Sequence, residues 1–242
     1  VARLRTAVFI SGRGSNLRAL LEAAADPAYP AEIAVVVSDR ANAGGLAHAD
    51  AFGVPTAVVQ RRDHADKAAF EAALDRAARD QGAEAVCLAG FMRLLSGEFC
   101  ARWGDRLLNI HPSLLPAFPG LDTHARALAA GVRIAGCTVH LVRPAVDSGP
   151  ILVQAAVPVL TGDDEAALAA RVLAAEHRIY PMALAWLAEG RVRLTVRRLD
   201  GGAVPPEEAS SEAVEIAGAG SPFTVGRPPV LIVPGGSRSD AD

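Results

Sequence analysis

Two polar residues interrupt an apolar run in a way that suits chemistry: Asn109 and His111, in Leu107-Leu108-Asn109-Ile110-His111. Side chains two apart on a strand share one face. Both therefore project from the carboxyl end of one strand into the same crevice. Pro112 and Pro116 stiffen the chain beyond. Asp147 lies in the turn Arg143-Pro144-Ala145-Val146-Asp147-Ser148-Gly149-Pro150, after a neighbouring apolar run, and a carboxylate beside an imidazole orients the ring. These residue types suit acyl transfer to an amine. The attacked carbonyl carbon becomes tetrahedral and its oxygen negative, and Asn109 with a protonated His111 can donate hydrogen bonds to that oxygen. The proton leaving the amine must reach the departing nitrogen, and a histidine can relay it, directly or through water. No serine or cysteine nucleophile is required. The plainer alternatives are a hydrogen-bonded histidine at a strand end and an aspartate that shapes its own turn. Of the other histidines, His140 and His177 read as structural, and His48 and His64 as surface residues.

A second candidate is the run Ser11-Gly12-Arg13-Gly14-Ser15-Asn16, between a predicted first strand and first helix. Open parallel sheets bind ligands at such a place, and free N–H groups at a helix start favour an anion. Gly12 and Gly14 let the backbone approach a phosphate, while Ser15 and Asn16 add donors or cap the helix. The plainer alternative is a tight turn with an ordinary cap. A Walker loop is excluded by the lack of a lysine in the run. A dinucleotide fingerprint wants a third glycine where Leu17 stands, although Asp39, at the end of the second predicted strand, occupies the place of a ribose-binding acid.

The elements that must position these residues follow from the hydrophobic pattern. Apolar runs predict strands at 6–10, 33–37, 56–59, 85–89, 107–111, 137–142 and 151–157. Helical spacing falls at 16–25, 46–52, 67–81, 96–103 and 123–130, and at 164–189, where Pro181 is expected to kink or split the helix. The prolines and glycine of 112–120 make that stretch an irregular loop. Strand–helix alternation argues for an α/β fold: a doubly wound, mainly parallel open sheet with an antiparallel strand portion towards the C-terminus. From about residue 200, Gly, Pro, Ser and Glu dominate. The expected organisation is a catalytic domain at 1–199 and a mostly flexible tail at 200–242, with 229–233 able to dock as an edge strand.

Composition removes several classes. The chain has 242 residues, is 51% hydrophobic and carries a formal net charge of −3. A core is affordable, and no electrostatic footprint for nucleic acid or an anionic membrane exists. Cys87, Cys100 and Cys137 form no metal-binding spacing and read as buried free thiols, so no metal is expected. No segment looks like a signal peptide or membrane span, which points to the cytoplasm.

Taken together, Ile10 to Asn16, Ala89-Gly90-Phe91-Met92-Arg93, Leu107 to Pro116, Asp147-Ser148-Gly149-Pro150 and Glu176-His177-Arg178-Ile179-Tyr180-Pro181 stand in the order and spacing of a known family. Over about 5–199 the chain resembles the glycinamide ribonucleotide formyltransferases, Rossmann-type enzymes of purine biosynthesis. The resemblance implies a formyl group moved from 10-formyltetrahydrofolate, the co-substrate, to the amine of glycinamide ribonucleotide. It implies Asn109, His111 and Asp147 as the catalytic trio, with His111 the general acid. Gly14, Ser15, Asn16 and Leu17 would hold the ribonucleotide phosphate and Glu176 the ribose. The folate would lie near Met92, Arg93, Leu94, Leu95, Phe99, Leu107 and Asn109, with its pteridine on the backbone from Arg143 through Val146 to Asp147. Lys67, the single lysine, stands where the family often has arginine, near the folate glutamate. Asp122 replaces a histidine of some relatives, and the tail is longer than the family core needs. A monomer or weak homodimer is expected.

Four rivals remain at this level. A formyltetrahydrofolate hydrolase uses a similar trio but usually carries an N-terminal regulatory domain; a methionyl-tRNA formyltransferase usually has a longer, more basic C-terminal part. A dinucleotide oxidoreductase is weakened by Leu17. A non-catalytic nucleotide-binding module would not need the intact trio.

Overall fold

The computed structural model describes residues 2–198, 210–217, 223–225 and 230–234. Its main sheet has nine strands: β1 (Leu4–Ile10), β2 (Ala31–Ser38), β3 (Thr56–Val58), β4 (Ala85–Leu88), β5 (Leu107–His111), β6 (Ile134–Leu141), β7 (Ile151–Pro158), β10 (Phe223–Val225) and β11 (Val230–Pro234). Two further strands, β8 (Val192–Arg198) and β9 (Ser210–Ile216), pair as a separate antiparallel hairpin. The spatial order is β10-β11-β7-β6-β5-β4-β1-β2-β3. From β3 to β5 every pairing is parallel, and from β5 outward to β10 every pairing is antiparallel.

The alternation within β1 explains why both faces are covered. Ala7 and Phe9 point into one core with Phe70 and Leu74 of helix α3 (Lys67–Arg79) and Phe99 and Trp103 of α4 (Gly97–Trp103). Val8 and Ile10 point into the other, with Leu17 and Leu20 of α1 (Ser15–Ala24), Ala49 of α2 (Gly45–Ala51) and Ile179 of α6 (Glu165–Ala188). Helix α5 (Thr123–Ala129) follows the loop after β5. Period two on the strands thus feeds two helical layers. All three cysteines are buried free thiols.

Of the two outcomes expected at Pro181, a kink or a split, the split does not occur: α6 runs through it as one helix of 24 residues. The missing N–H frees one carbonyl a turn earlier, but packing on both sides of Pro181, by Tyr180 and Ala183 at 0% exposure, outweighs that loss. After residue 200, where a mostly flexible tail was expected, the described residues form strands. Strand β11 pairs antiparallel with β7, as the 229–233 alternative anticipated, and β10 lies outside it. Strand β9 buries Val214 and Ile216 in the core. Alternating apolar residues in Ala213-Val214-Glu215-Ile216 carry this docking, which the Gly/Pro-rich surroundings obscured. The rest of 200–242 lies outside the described residues.

Candidate active site

The strand order reverses direction of winding between β1 and β4, and crevices at such switch points hold ligands at the carboxyl ends of the strands. The glycine turn leaves β1 there, and Asn109 and His111 end the next strand but one. Register explains the rest of the cluster. Asn109 lies opposite His140 and His111 opposite Thr138 on the antiparallel strand β6.

Asp147 closes on this pair from the turn after β6. Its Oδ2 lies 3.3 Å from His111 Nδ1 and accepts a 2.8 Å hydrogen bond from the Gly120 backbone N–H. The other oxygen, Oδ1, lies 3.8 Å from His140 Nε2. Asp147 itself has φ 51°, a left-handed conformation that aspartate tolerates better than most residues. Gly149 is required two residues on, because a Cβ there would meet the Leu141 carbonyl oxygen at 1.7 Å. The turn is thus pressed against the end of β6.

His111 is 5% exposed, and its Nε2 donates to the Phe118 carbonyl at 3.0 Å. Both ring nitrogens therefore face acceptors within the protein, Phe118 on one side and Asp147 on the other. To donate to a substrate oxygen, Nε2 must exchange that carbonyl for the ligand. The loop carrying Phe118 is braced elsewhere: Ser113 Oγ donates to the Ala117 carbonyl, Thr138 Oγ1 to the Ser113 carbonyl, and Gln154 Nε2 to the Leu115 carbonyl. Asp122 serves as the residue before α5, with φ 56°.

A cleft beside the trio is lined by Leu88, Phe91, Arg93, Leu94, Leu95, Asn109, His140, Val142, Arg143, Pro144, Ala145, Val146 and Asp147. Seven of the expected folate residues meet here: Arg93, Leu94, Leu95, Asn109, Arg143, Val146 and Asp147. The other four lie elsewhere. Phe99 and Leu107 are fully buried in the core beneath, so their side chains have no face to offer a ligand. Met92 is exposed, and its N–H is held by Ser11 Oγ at 2.8 Å. Lys67 leans on the buried Glu71, with Nζ 3.8 Å from Oε1. Apolar walls with two guanidinium groups at the rim suit a flat heteroaromatic ring bearing an anionic tail.

The glycine turn forms the other half of the crevice. Gly14 has φ 78° and precedes α1, whose first turn has no side-chain cap. Leu17 is fully buried, so only its backbone can face a ligand. Asn16 Nδ2 donates to Glu176 Oε2 at 2.7 Å, joining the start of α1 to α6. Burial raises the Glu176 pKa, and the Asn16 bond lowers it in part. The adjoining cleft is lined by Arg13, Ser15, Arg18, His48 and His177 among others. Two guanidinium groups and two imidazoles beside free helix N–H groups suit a phosphate.

Three histidines stand close to the candidate site: His140 touches Asn109, and His48 and His177 line the cleft beside the glycine turn. The available signal for His177 was its place beside Glu176; His140 becomes visible only through the antiparallel register. Asp39 is accounted for differently too. Its side chain is fully buried and its Oδ2 pairs with Arg93 Nε at 2.6 Å, so it is not free to take a ribose. Among the described residues, no group of three or more His, Cys, Asp or Glu is arranged to hold a metal ion, and no helix is long and apolar enough to cross a membrane.

Residues 4–184 match the family model described as formyl transferase. The chain is 41% identical over 202 residues to the phosphoribosylglycinamide formyltransferase of Escherichia coli (strain K12), covering 83% of this chain and 95% of that one. It is 47% identical over 192 residues to the trifunctional purine biosynthetic protein adenosine-3 of Bos taurus, covering 79% of this chain but only 19% of that protein. The crystal structure of phosphoribosylglycinamide formyltransferase from Brucella melitensis superposes with a TM-score of 0.75 at 59% identity, covering 79% of this chain and 98% of that one.

Proposed function

The chain belongs to the formyl transferase family, and on that premise we propose that it moves the formyl group of 10-formyltetrahydrofolate to the amine of glycinamide ribonucleotide, a step of purine biosynthesis. One observation carries the reading. Asn109, His111 and Asp147 converge between an apolar cleft and a glycine turn backed by arginines, so a folate and a phosphorylated amine can meet at one point.

In this reading the phosphate of the ribonucleotide sits at the backbone of Gly14, Ser15, Asn16 and Leu17, with Glu176 accepting from the ribose hydroxyls. The folate ring occupies the cleft along Arg93, Leu94, Leu95 and the backbone of 143–147. The amine attacks the formyl carbon, a C–N bond forms, and the carbonyl oxygen becomes an oxyanion. The Asn109 amide and the His111 N–H donate to it. Asp147 holds the ring for that donation. Collapse of the tetrahedral species breaks the bond to the folate nitrogen, which receives the proton lost by the amine, by way of His111 or water. The products are formylated ribonucleotide and tetrahydrofolate. Binding both partners in one crevice supplies the orientation that a bimolecular reaction in water lacks. Three buried thiols suit a reducing compartment, the cytoplasm.

The test is to mix the protein with 10-formyltetrahydrofolate, with and without glycinamide ribonucleotide, and follow deformylated folate and formylated ribonucleotide together. Equal yields of both, appearing only when the ribonucleotide is present, are expected. Deformylation at the same rate without it would replace transfer by hydrolysis.

A further inference from the structure

Arg143 opens the turn that carries Asp147, and its side chain is clamped by carboxylates that the chemistry above does not use. Its Nε donates to Glu212 Oε2 at 2.7 Å and its Nη2 to Glu212 Oε1 at 3.1 Å, a two-point fork. Nη2 also donates to Asp105 Oδ1 at 2.9 Å. The stem of Arg143 runs over Gly149, with its Cγ 3.3 Å from where a Cβ would stand. The guanidinium is therefore fixed at one end of the turn and its stem packs on the other. The bond to Arg143 pulls the Glu212 carboxyl below its usual range.

Glu212 lies on β9, past residue 184 where the family match ends. Strand β9 is itself anchored. Val214 and Ile216 are buried, the hairpin pairs Glu212 with Val196, and Arg191 Nε donates to the Ala217 carbonyl at 2.7 Å. A docked strand thus delivers a carboxylate to the rim of the cleft.

We infer that Glu212 is a positioning residue for the formyl-folate cleft: it holds Arg143, and through Arg143 the 143–149 turn that forms one wall and presents Asp147. The inference rests on the proposed transferase reading for the identity of the ligand. The C-terminal hairpin then has a role in co-substrate affinity, beyond covering apolar surface. Because Glu212 is 45% exposed on its side chain and Asp105 still holds one guanidinium nitrogen, its removal loosens the turn without releasing it.

The experiment is a double-mutant cycle on the full chain, with Glu212→Gln and Arg143→Met. The readouts are titration of 10-formyltetrahydrofolate by calorimetry and steady-state kinetics. Glu212→Gln keeps the shape of the side chain and is expected to raise both Kd and KM for formyl folate about fivefold, the scale of a half-exposed ion pair. KM for glycinamide ribonucleotide and kcat should stay within about twofold, a split that general loss of structure would not give. In the Arg143→Met background, Glu212→Gln should add nothing. Unchanged formyl-folate affinity in Glu212→Gln, or the same fivefold loss without Arg143, overturns the clamp while leaving the transferase reading intact. A wild-type chain that binds no formyl folate overturns both.

Discussion

The Asn109 amide nitrogen lies 3.1 Å from His140 Nε2, while His140 Nδ1 lies 2.9 Å from the Leu141 carbonyl oxygen. A carbonyl only accepts, so Nδ1 carries the ring proton. Nε2 is then an acceptor, and the Asn109 N–H donates to it. One hydrogen bond therefore settles which way the amide faces, leaving its second N–H for a ligand. Burial lowers the His140 pKa and outweighs the opposite pull of the Leu141 carbonyl and Asp147, so the ring is kept neutral for this task.

His140→Phe should accordingly lower kcat by about tenfold, roughly 1.4 kcal/mol of barrier, with smaller changes in either KM. The pH dependence has a definite sign. A histidine whose folded pKa lies below the unfolded value of about 6.5 contributes stability that is present above that value and lost as pH falls through the folded one. Protonation also converts Nε2 from acceptor to donor and releases Asn109. Thermal stability and kcat of the wild type should thus both fall on the acid side, and His140→Phe should lose this part of each profile. Identical acid limbs in the two proteins would mean that His140 does not orient Asn109.

The glycine turn separates into one residue needed for the fold and one available to a ligand. A Cβ on Gly14 would meet Gly45 Cα at 2.5 Å, and its φ is 78°. A Cβ on Gly12 meets nothing within 4 Å. Gly14→Ala should therefore destabilise the chain by more than about 1 kcal/mol, through left-handed strain and overlap together. Gly12→Val should leave the melting temperature nearly unchanged and, on the proposed reading, raise KM for glycinamide ribonucleotide about tenfold or more, because the side chain would occupy space assigned to the phosphate. Formyl-folate KM is the control. If that rises instead, the two halves of the crevice are assigned the wrong way round.

Much of this was legible in the sequence, and the reason differs by element. Strand β5, with Asn109 and His111 on its exit, reads directly because a short apolar run has one period and one direction. The parallel half of the sheet follows from strand–helix alternation. Contacts made by antiparallel register do not follow, since the Asn109–His140 pairing depends on where β6 starts, and β6 begins at Ile134, three residues before the expected 137. Phe99 and Leu107 look like cleft residues by proximity in sequence to ligand-facing positions, yet point the other way into the core. Glu212 was invisible because its meaning lies wholly in what the docked β9 strand places beside Arg143.

On the proposed reading Glu176 sets function against stability. Burial raises its pKa, so the native state favours its protonated form. A carboxyl raised in this way contributes stability that is full below the unfolded pKa and lost as pH rises through the folded one. Ionising Glu176 inside the fold therefore costs stability. Glu176→Gln keeps an acceptor for Asn16 and removes the charge, so it should raise the melting temperature by about 2–4 °C. The gain over wild type should widen as pH increases through the folded pKa. If Glu176 binds the ribose, KM for glycinamide ribonucleotide should rise about tenfold in the same protein, a trade of activity for stability. A stabilised variant with wild-type KM would remove Glu176 from the substrate site.

His111 and Asp147 should behave as one unit. The imidazole donates to the Phe118 carbonyl through Nε2 and faces Asp147 Oδ2 at 3.3 Å through Nδ1. In the proposed mechanism His111→Ala removes a donor to the oxyanion and a proton carrier, each typically a factor of about 10² or more. The loss should fall on kcat, because both interactions strengthen only as the tetrahedral species forms. Asp147→Asn keeps the size of the side chain, and its amide oxygen can take the place of Oδ2, which meets both Gly120 N–H and His111 Nδ1, but it removes the charge facing the ring. A fall of about 10² in kcat is expected, with formyl-folate KM changed far less. Because Asp147 acts through His111, the double variant should be little worse than His111→Ala alone. Single-turnover formyl transfer measures all three, with circular dichroism to establish that each variant is folded. If the two losses instead multiply, Asp147 acts on the substrate independently of His111. If Asp147→Asn transfers formyl groups at the wild-type rate, the aspartate only shapes its turn and the mechanism fails.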